Sequence, residues 1–359
     1  MIRAWRARPG ALDRRKQRLV PLLALALLSG CSSLSYYSQL VDGQWRLLHA
    51  RRPVAEVIAD PAQYPKLREQ LRQSQAARKF ASEHLHLPDN NSYRLYADLH
   101  RPYVVWNVFV TPEFSLDPQT HCFPVAGCVA YRGYYNQSAA RGEAAVQKLA
   151  GMDVYIGGVE AYSTLGWFDD PIMNSMLHWG DERLATLIFH ELAHQRFYVK
   201  DDSQFNESYA NFVEQEGTRQ WRVARGLPAA DGDFSAQLDQ FTRLVLATRE
   251  RLVSLYRQPL TPAAMRAAKA AEFERLRGEY RQLKDQQWHG QGVFDHWVDT
   301  PINNAKLLPF GLYDLWVPAF AALFKQVNGD WVAFFAEVER IGRMPAQQRH
   351  QVLQGLMGS

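Results

Sequence analysis

Apolar residues recur at helical spacing over most of the chain, and strand-like alternation is confined to one region. Residues 32–48 predict a helix whose apolar set is Tyr36, Leu40, Trp45, Leu47 and Leu48. Pro53 and the Asp60-Pro61 pair break the chain, and 62–85 then carries a charged amphipathic pattern built on Leu67, Leu71, Ala77, Phe80 and Ala81. The period changes at 93–98 and 103–110, where aromatic and β-branched residues alternate as in strands and Asp98–Pro102 can join the two as a hairpin. Irregular strand is expected over 123–135, helix over 143–150 and a short strand over 152–158. From Asp181 onward the chain reads almost entirely as helix. Asp181 is a plausible N-cap for the first of these helices, and Ser203 or Asn206 for the second, which runs towards Arg225-Gly226. Two long amphipathic stretches, 234–256 and 262–286, are separated by a short Pro-containing link, which predicts an antiparallel helical hairpin. Three or four further helices fill 303–356.

The expected class is therefore α+β, mostly α: a small sheet beside helices, plus a large helical C-terminal part. The expected division is a leader over 1–30, an N-terminal helical segment over 31–90, a sheet with the chemical core over 91–228, and the helical part over 229–359. Residues 31–359 are expected to form one compact unit, since no linker or internal repeat separates them.

Charge changes this picture only at the N-terminus. The chain carries +4 overall, but residues 1–30 hold Arg3, Arg6, Arg8, Arg14, Arg15, Lys16 and Arg18 against Asp13. The leader is thus +6 and the remainder −2, so no general affinity for nucleic acid follows. After the basic residues comes Leu19–Leu28, too short for a permanent membrane span, and then Leu28-Ser29-Gly30-Cys31. This segment resembles the lipobox of bacterial lipoproteins, which implies cleavage before Cys31 and a lipid anchor on its thiol. Ser32, in the place where Asp would retain the protein, implies an outer-membrane location facing the periplasm. The two other cysteines, Cys122 and Cys128, flank a tight loop with Pro124 and Gly127, and an oxidising compartment favours a disulfide between them.

The chemistry concentrates in His190-Glu191-Leu192-Ala193-His194. On a helix, positions i and i+4 stand one turn apart on one face, so both imidazoles can reach one zinc ion. The glutamate after the first histidine then lies where a base is needed. The apolar neighbours Leu187, Ile188, Leu192 and Ala193 can bury such a helix. A catalytic zinc takes three protein ligands, and the downstream candidates are Glu207, Glu214 and Glu216, with Asp201 and Asp202 in the link.

His190-Glu191-Leu192-Ala193-His194-Gln195 followed by Asn206-Glu207-Ser208-Tyr209-Ala210 resembles the gluzincin aminopeptidases. The resemblance implies a gluzincin-like core with one zinc ion per chain, held by His190, His194 and Glu207, with Glu191 as general base. A closer resemblance, over nearly the whole mature chain, is to a bacterial family of predicted aminopeptidases that are often lipoproteins. It is carried by 122–134, by 161–171, by the zinc motif and by Asn303-Asn304-Ala305.

The chain departs from the larger gluzincins in two respects. Glu207 lies thirteen residues beyond His194, a shorter spacing than usual, and the Gly-x-Met-Glu-Asn motif that holds a free amine is absent. Glu160, in Gly158-Val159-Glu160-Ala161-Tyr162, is the candidate for that role, against a solvated glutamate at a strand end. Tyr313 and then Tyr162 are candidates to stabilise an oxyanion, Asn303 and Asn304 to contact substrate, and Asp170 and Asp202 to orient the histidines. The expected function is a lipid-anchored zinc peptidase acting on peptides, with N-terminal trimming as first mode. The rivals are a zinc endopeptidase and an envelope scaffold that keeps the metal for stability.

Overall fold

Sequence periodicity and observed structure meet most closely in the helices. The computed structural model describes residues 34–123, 127–161, 163–178, 180–228, 232–310 and 315–357, so the leader and Cys31 lie outside the described residues. The described chain is mostly helical with small sheets. Its contacts divide it into two units, Met1–Leu48 and His49–Ser359. The first unit holds all but the last residue of helix α1 (34–49), along which Leu34, Tyr37, Val41 and Trp45 are exposed at intervals of three and four. Among the described residues no helix is long and apolar enough to cross a membrane.

The second unit begins with β1 (Arg51–Pro53), α2 (Val54–Ala59) and α3 (Pro65–Glu83), followed by β2 (Leu95–Ala97) and β3 (Val105–Thr111). The expected hairpin between these last two strands does not form. β2 lies between β1 and β8 (Ile172–Met173) in one sheet, and β3 lies between β6 (Tyr131–Tyr134) and β7 (Asp153–Val159) in another. The residues between them are held by other partners: Leu99 N–H donates to Asn174 Oδ1, and Asn174 Nδ2 donates to the Arg101 carbonyl. In the β6-β3-β7 sheet all pairing is antiparallel, with Trp106 opposite Tyr134 and Gly158. A third, two-stranded sheet pairs β4 (His121–Phe123) with β5 (Gly127–Val129), and Cys122 is joined to Cys128 across it.

Helix α4 (Gln137–Leu149) starts six residues before the expected stretch, because Asn136 caps it by accepting from Ala139 N–H. Beyond β8 come α5 (Asp181–Arg196) and α6 (Ser203–Ala224). Gly180, with φ of 93°, precedes α5, and Asp181 is its first helical residue rather than its cap. The cap of α6 is Asp202, whose carboxylate accepts from Phe205 N–H; Ser203 and Asn206 lie inside the helix. Helices α7 (Gly232–Tyr256) and α8 (Pro262–Gln286) form the expected antiparallel hairpin: Gln240 meets Gln287 near one end, and Arg251 meets Glu272 and Glu279 further along. Phe241, Val245, Leu252, Phe273, Leu276 and Tyr280 fill its seam. The chain ends with α9 (Asp295–Asp299), α10 (Asn304–Leu307), α11 (Val317–Gln326), α12 (Trp331–Gly342) and α13 (Ala346–Met357).

An aromatic core forms around α6. Its buried residues Phe205, Tyr209, Phe212 and Val213 follow the helical repeat and meet Phe320, Phe324, Trp331, Phe334 and Phe335 of α11 and α12 in a web of edge and stacked ring contacts. On the other side α6 runs close to α3 and α5. A Cβ at Gly217 would come within 2.8 Å of Leu85 Cδ1 and 3.2 Å of Phe189 Cδ2, so a side chain there would force Leu85 to shift and crowd Phe189. That close crossing brings the carboxylates of α6 to the histidines of α5.

Candidate metal centre

His190 and His194 occupy one face of α5, and their rings meet edge to face with their Nε2 atoms 3.1 Å apart. Glu207, on the first turns of α6, brings Oε2 to 3.4 Å from His190 Nε2 and 3.6 Å from His194 Nε2. These are the three residues among the described ones whose donor atoms converge as a metal site. Donors bound tetrahedrally at about 2.0–2.2 Å from one ion stand roughly 3.3–3.6 Å apart, so the observed triangle has the size zinc requires.

The hydrogen bonding supports the same fit. Glu214, two helical turns beyond Glu207 on α6, places Oε2 2.9 Å from His190 Nδ1, and its other oxygen accepts from Arg183. A proton on Nδ1 donated to Glu214 leaves the Nε2 lone pair aimed at the centre of the triangle. Two lone pairs and a carboxylate facing one point repel each other unless a cation lies between them. The charges agree. Burial opposes a charged His190, but Glu207 and Glu214 outweigh it and hold its proton affinity well above that of an ordinary histidine. Burial also works against ionised Glu207, yet His194 and His190 hold its carboxyl far below the usual range. The cluster is built to hold positive charge.

Glu191 follows the first histidine and is almost wholly buried. Burial pushes its carboxyl up, and the two histidines pull it only partly back. The adjoining Tyr198 sets its ring edge-on to His194, with centroids 6.2 Å apart. Burial, with Glu207 and Asp201 nearby, pushes its hydroxyl up, so it stays a proton donor.

Other residues singled out in the sequence have different surroundings. Asp170 does not orient a motif histidine: it accepts from Thr164 and from Gln195 Nε2 at 3.1 Å. Asp202 is likewise committed elsewhere, to Phe205 N–H, Arg349 and His350. Glu216 pairs with Arg219, and Asp201 accepts from Cys128 N–H, which docks the disulfide hairpin on the α5–α6 link. The hairpin approaches so closely that a Cβ at Gly127 would meet Asp201 Oδ1 at 2.0 Å, and φ there is +75°. Asn304 is fully buried; its amide donates to the carbonyls of Glu113 and Ser115, and its oxygen accepts from Tyr256. Asn303 caps α10 and donates to the Val154 carbonyl. Both asparagines brace the sheet against the C-terminal helices. Glu160 stands at the end of β7, where its carbonyl accepts from Ser175. Tyr162 and Tyr313 lie outside the described residues.

Two contributions were not legible as such in the sequence. Glu214 is a ligand candidate by residue type, but its seven-residue offset from Glu207 along the same face of α6 brings it to the Nδ1 edge of His190 and not to the Nε2 side. Tyr198 sits four residues after His194, but α5 has already ended at Arg196, so helical spacing did not place it.

Compared with known protein families, residues 35–353 match the family model described as "Putative aminopeptidase". No curated protein and no solved structure matches the chain.

Proposed function

The chain belongs to that putative aminopeptidase family, and on this premise we propose that it is a zinc-dependent peptidase with a gluzincin-like core. The observation that carries the reading is the convergence of His190, His194 and Glu207 beside the buried Glu191. Bound by these three donors, zinc would supply Lewis acidity, acidifying water and polarising a peptide carbonyl. The remaining roles fall to the chain itself. Glu191, with its raised proton affinity, takes the proton of the attacking water and returns it to the leaving amine. Glu214 fixes the tautomer and plane of His190. Tyr198 supplies a hydroxyl beside the ligand cluster that can donate to developing negative charge.

N-terminal trimming is the first mode proposed, with Glu160 as the group to receive a free amine. Blocking the N-terminus of test peptides then abolishes cleavage; continued cleavage of blocked peptides moves the reading to an endopeptidase. The central test is Glu191→Gln, expected to keep about one zinc per chain and to lose turnover by orders of magnitude. Unchanged cleavage by that variant overturns Glu191 as the base, and zinc retention with no peptide cleavage by the native chain leaves a scaffold that keeps zinc for stability.

Anchoring through Cys31 in the outer membrane belongs to the same proposal. It is supported by Leu28-Ser29-Gly30-Cys31 and by the exposed stripe Leu34, Tyr37, Val41 and Trp45 on the helix just beyond. Metabolic labelling with a fatty acid should mark the native chain and not Cys31→Ala.

A further inference from the structure

Between β7 and β8 the chain makes a turn that exposes two large aromatic side chains in succession: Trp167 is 73% exposed and Phe168 47%. The backbone beneath them is tightly held. Leu165 and Gly166 both adopt left-handed conformations, with φ of 55° and 80°. Ser163 Oγ accepts from Leu165 N–H, the Thr164 carbonyl from Trp167 N–H, and Thr164 Oγ1 from Phe168 N–H. The Thr164 hydroxyl in turn donates to buried Asp170 at 2.7 Å, and Asp170 also accepts from the Thr164 amide.

Asp170 ties this turn to the metal-binding helix. Its Oδ2 accepts from Gln195 Nε2, the residue directly after His194, and Gln195 is itself held by Asn90 and Ser92. Gln195 is four residues beyond Glu191, so both lie on one face of α5. A Cβ at Gly166 would sit 4.0 Å from Gln195 Oε1, which puts the turn directly against that face. Isolated exposed aromatics are ordinary, whereas two adjacent ones sit here on a hydrogen-bonded turn packed against the helix that carries Glu191.

We infer that Trp167 and Phe168 form an apolar shelf beside Glu191 that receives a bulky apolar side chain of the peptide next to the bond being cut. The inference rests on the peptidase reading. The tether singles out substrate as occupant: it fixes the turn that carries the two rings against the helix that carries Glu191, and a surface meant for a lipid or another protein needs no such registration.

The test uses the full chain with Trp167→Ala and Phe168→Ala combined, and peptides that differ only in the side chain beside the scissile bond. For leucine or phenylalanine there, kcat/KM should fall about tenfold or more, while alanine or glycine peptides change little. Trp167→Phe should restore much of the preference, and the melting temperature should stay as in the native chain because both rings are solvent-facing. An equal loss on all peptides, or no change in preference, overturns the shelf. Binding of the same peptides to Glu191→Gln, followed by calorimetry, separates the two readings. Shelf-dependent binding without any cleavage by the native chain sinks the peptidase and keeps the shelf. Glu191-dependent cleavage with an unchanged preference in the double variant sinks the shelf alone. No selective binding and no cleavage sinks both.

Discussion

Glu214 Oε2 stands 2.9 Å from His190 Nδ1, on the edge of the imidazole opposite the nitrogen that faces His194 and Glu207. Its second oxygen accepts from Arg183, so the carboxylate is itself oriented. A residue in this place acts through the ligand it holds. Glu214→Gln should lower zinc affinity about 10- to 100-fold while leaving the fold intact. Competition with a chelator of known affinity measures this, and Glu207→Ala should weaken binding more. Equal zinc affinity in Glu214→Gln and the native chain would refute the orienting role.

Buried Asp202 joins the α5–α6 link to the C-terminal helix: it caps α6, accepts from Arg349 at 2.6 Å and meets His350 at 3.0 Å. Asp202→Ala leaves the buried Arg349 charge without its carboxylate, though with the Gly342 and Met344 carbonyls, and such a loss costs about 3–5 kcal/mol. Denaturant unfolding should show it as a lower midpoint.

The same aspartate predicts a pH effect. Burial works to raise its carboxyl, but Phe205 N–H, Arg349 and His350 win and hold it below the ordinary value of 3.8. The stability it contributes is present above that ordinary value and is lost as pH falls through the lowered one. In an acid titration of stability, native protein should therefore lose more below about pH 4 than Asp202→Asn does. Parallel curves would contradict the assignment.

Asn304 separates a bracing role from a substrate role. Its side chain serves the Glu113 and Ser115 carbonyls and the Tyr256 hydroxyl within the protein. Asn304→Ala should cost about 1–3 kcal/mol for each buried group left unpaired. Thermal melting checks this, and kcat/KM of the folded fraction should be unchanged.

The disulfide hairpin closes a short loop, so its entropic contribution is small, about 2 kcal/mol in the chain-entropy model. Cys122→Ser with Cys128→Ser should lower stability by that amount in calorimetry. Zinc content should persist, because the hairpin touches the α5–α6 link through Asp201 and not through a ligand.

The sequence by itself determined what depends on short-range periodicity. His190 and His194 share a face because a helix repeats every 3.6 residues, and the seam of α7 and α8 follows from the same rule. Tertiary structure decided everything set by long-range pairing. The strands at 95–97 and 105–111 look like a hairpin locally, yet each finds better partners in a different sheet. Glu207 and Glu214 are both acids on one face of α6, and only the crossing of α6 over α5 at Gly217 decides their parts. Glu207 meets the Nε2 side of the histidines and Glu214 the Nδ1 side. Asp170 and Asp202 are sequence candidates to orient the histidines, but Gln195 and Arg349, brought to them by folding, occupy their oxygens. Periodicity is written into neighbouring residues, whereas the meeting of two distant side chains depends on how whole elements pack.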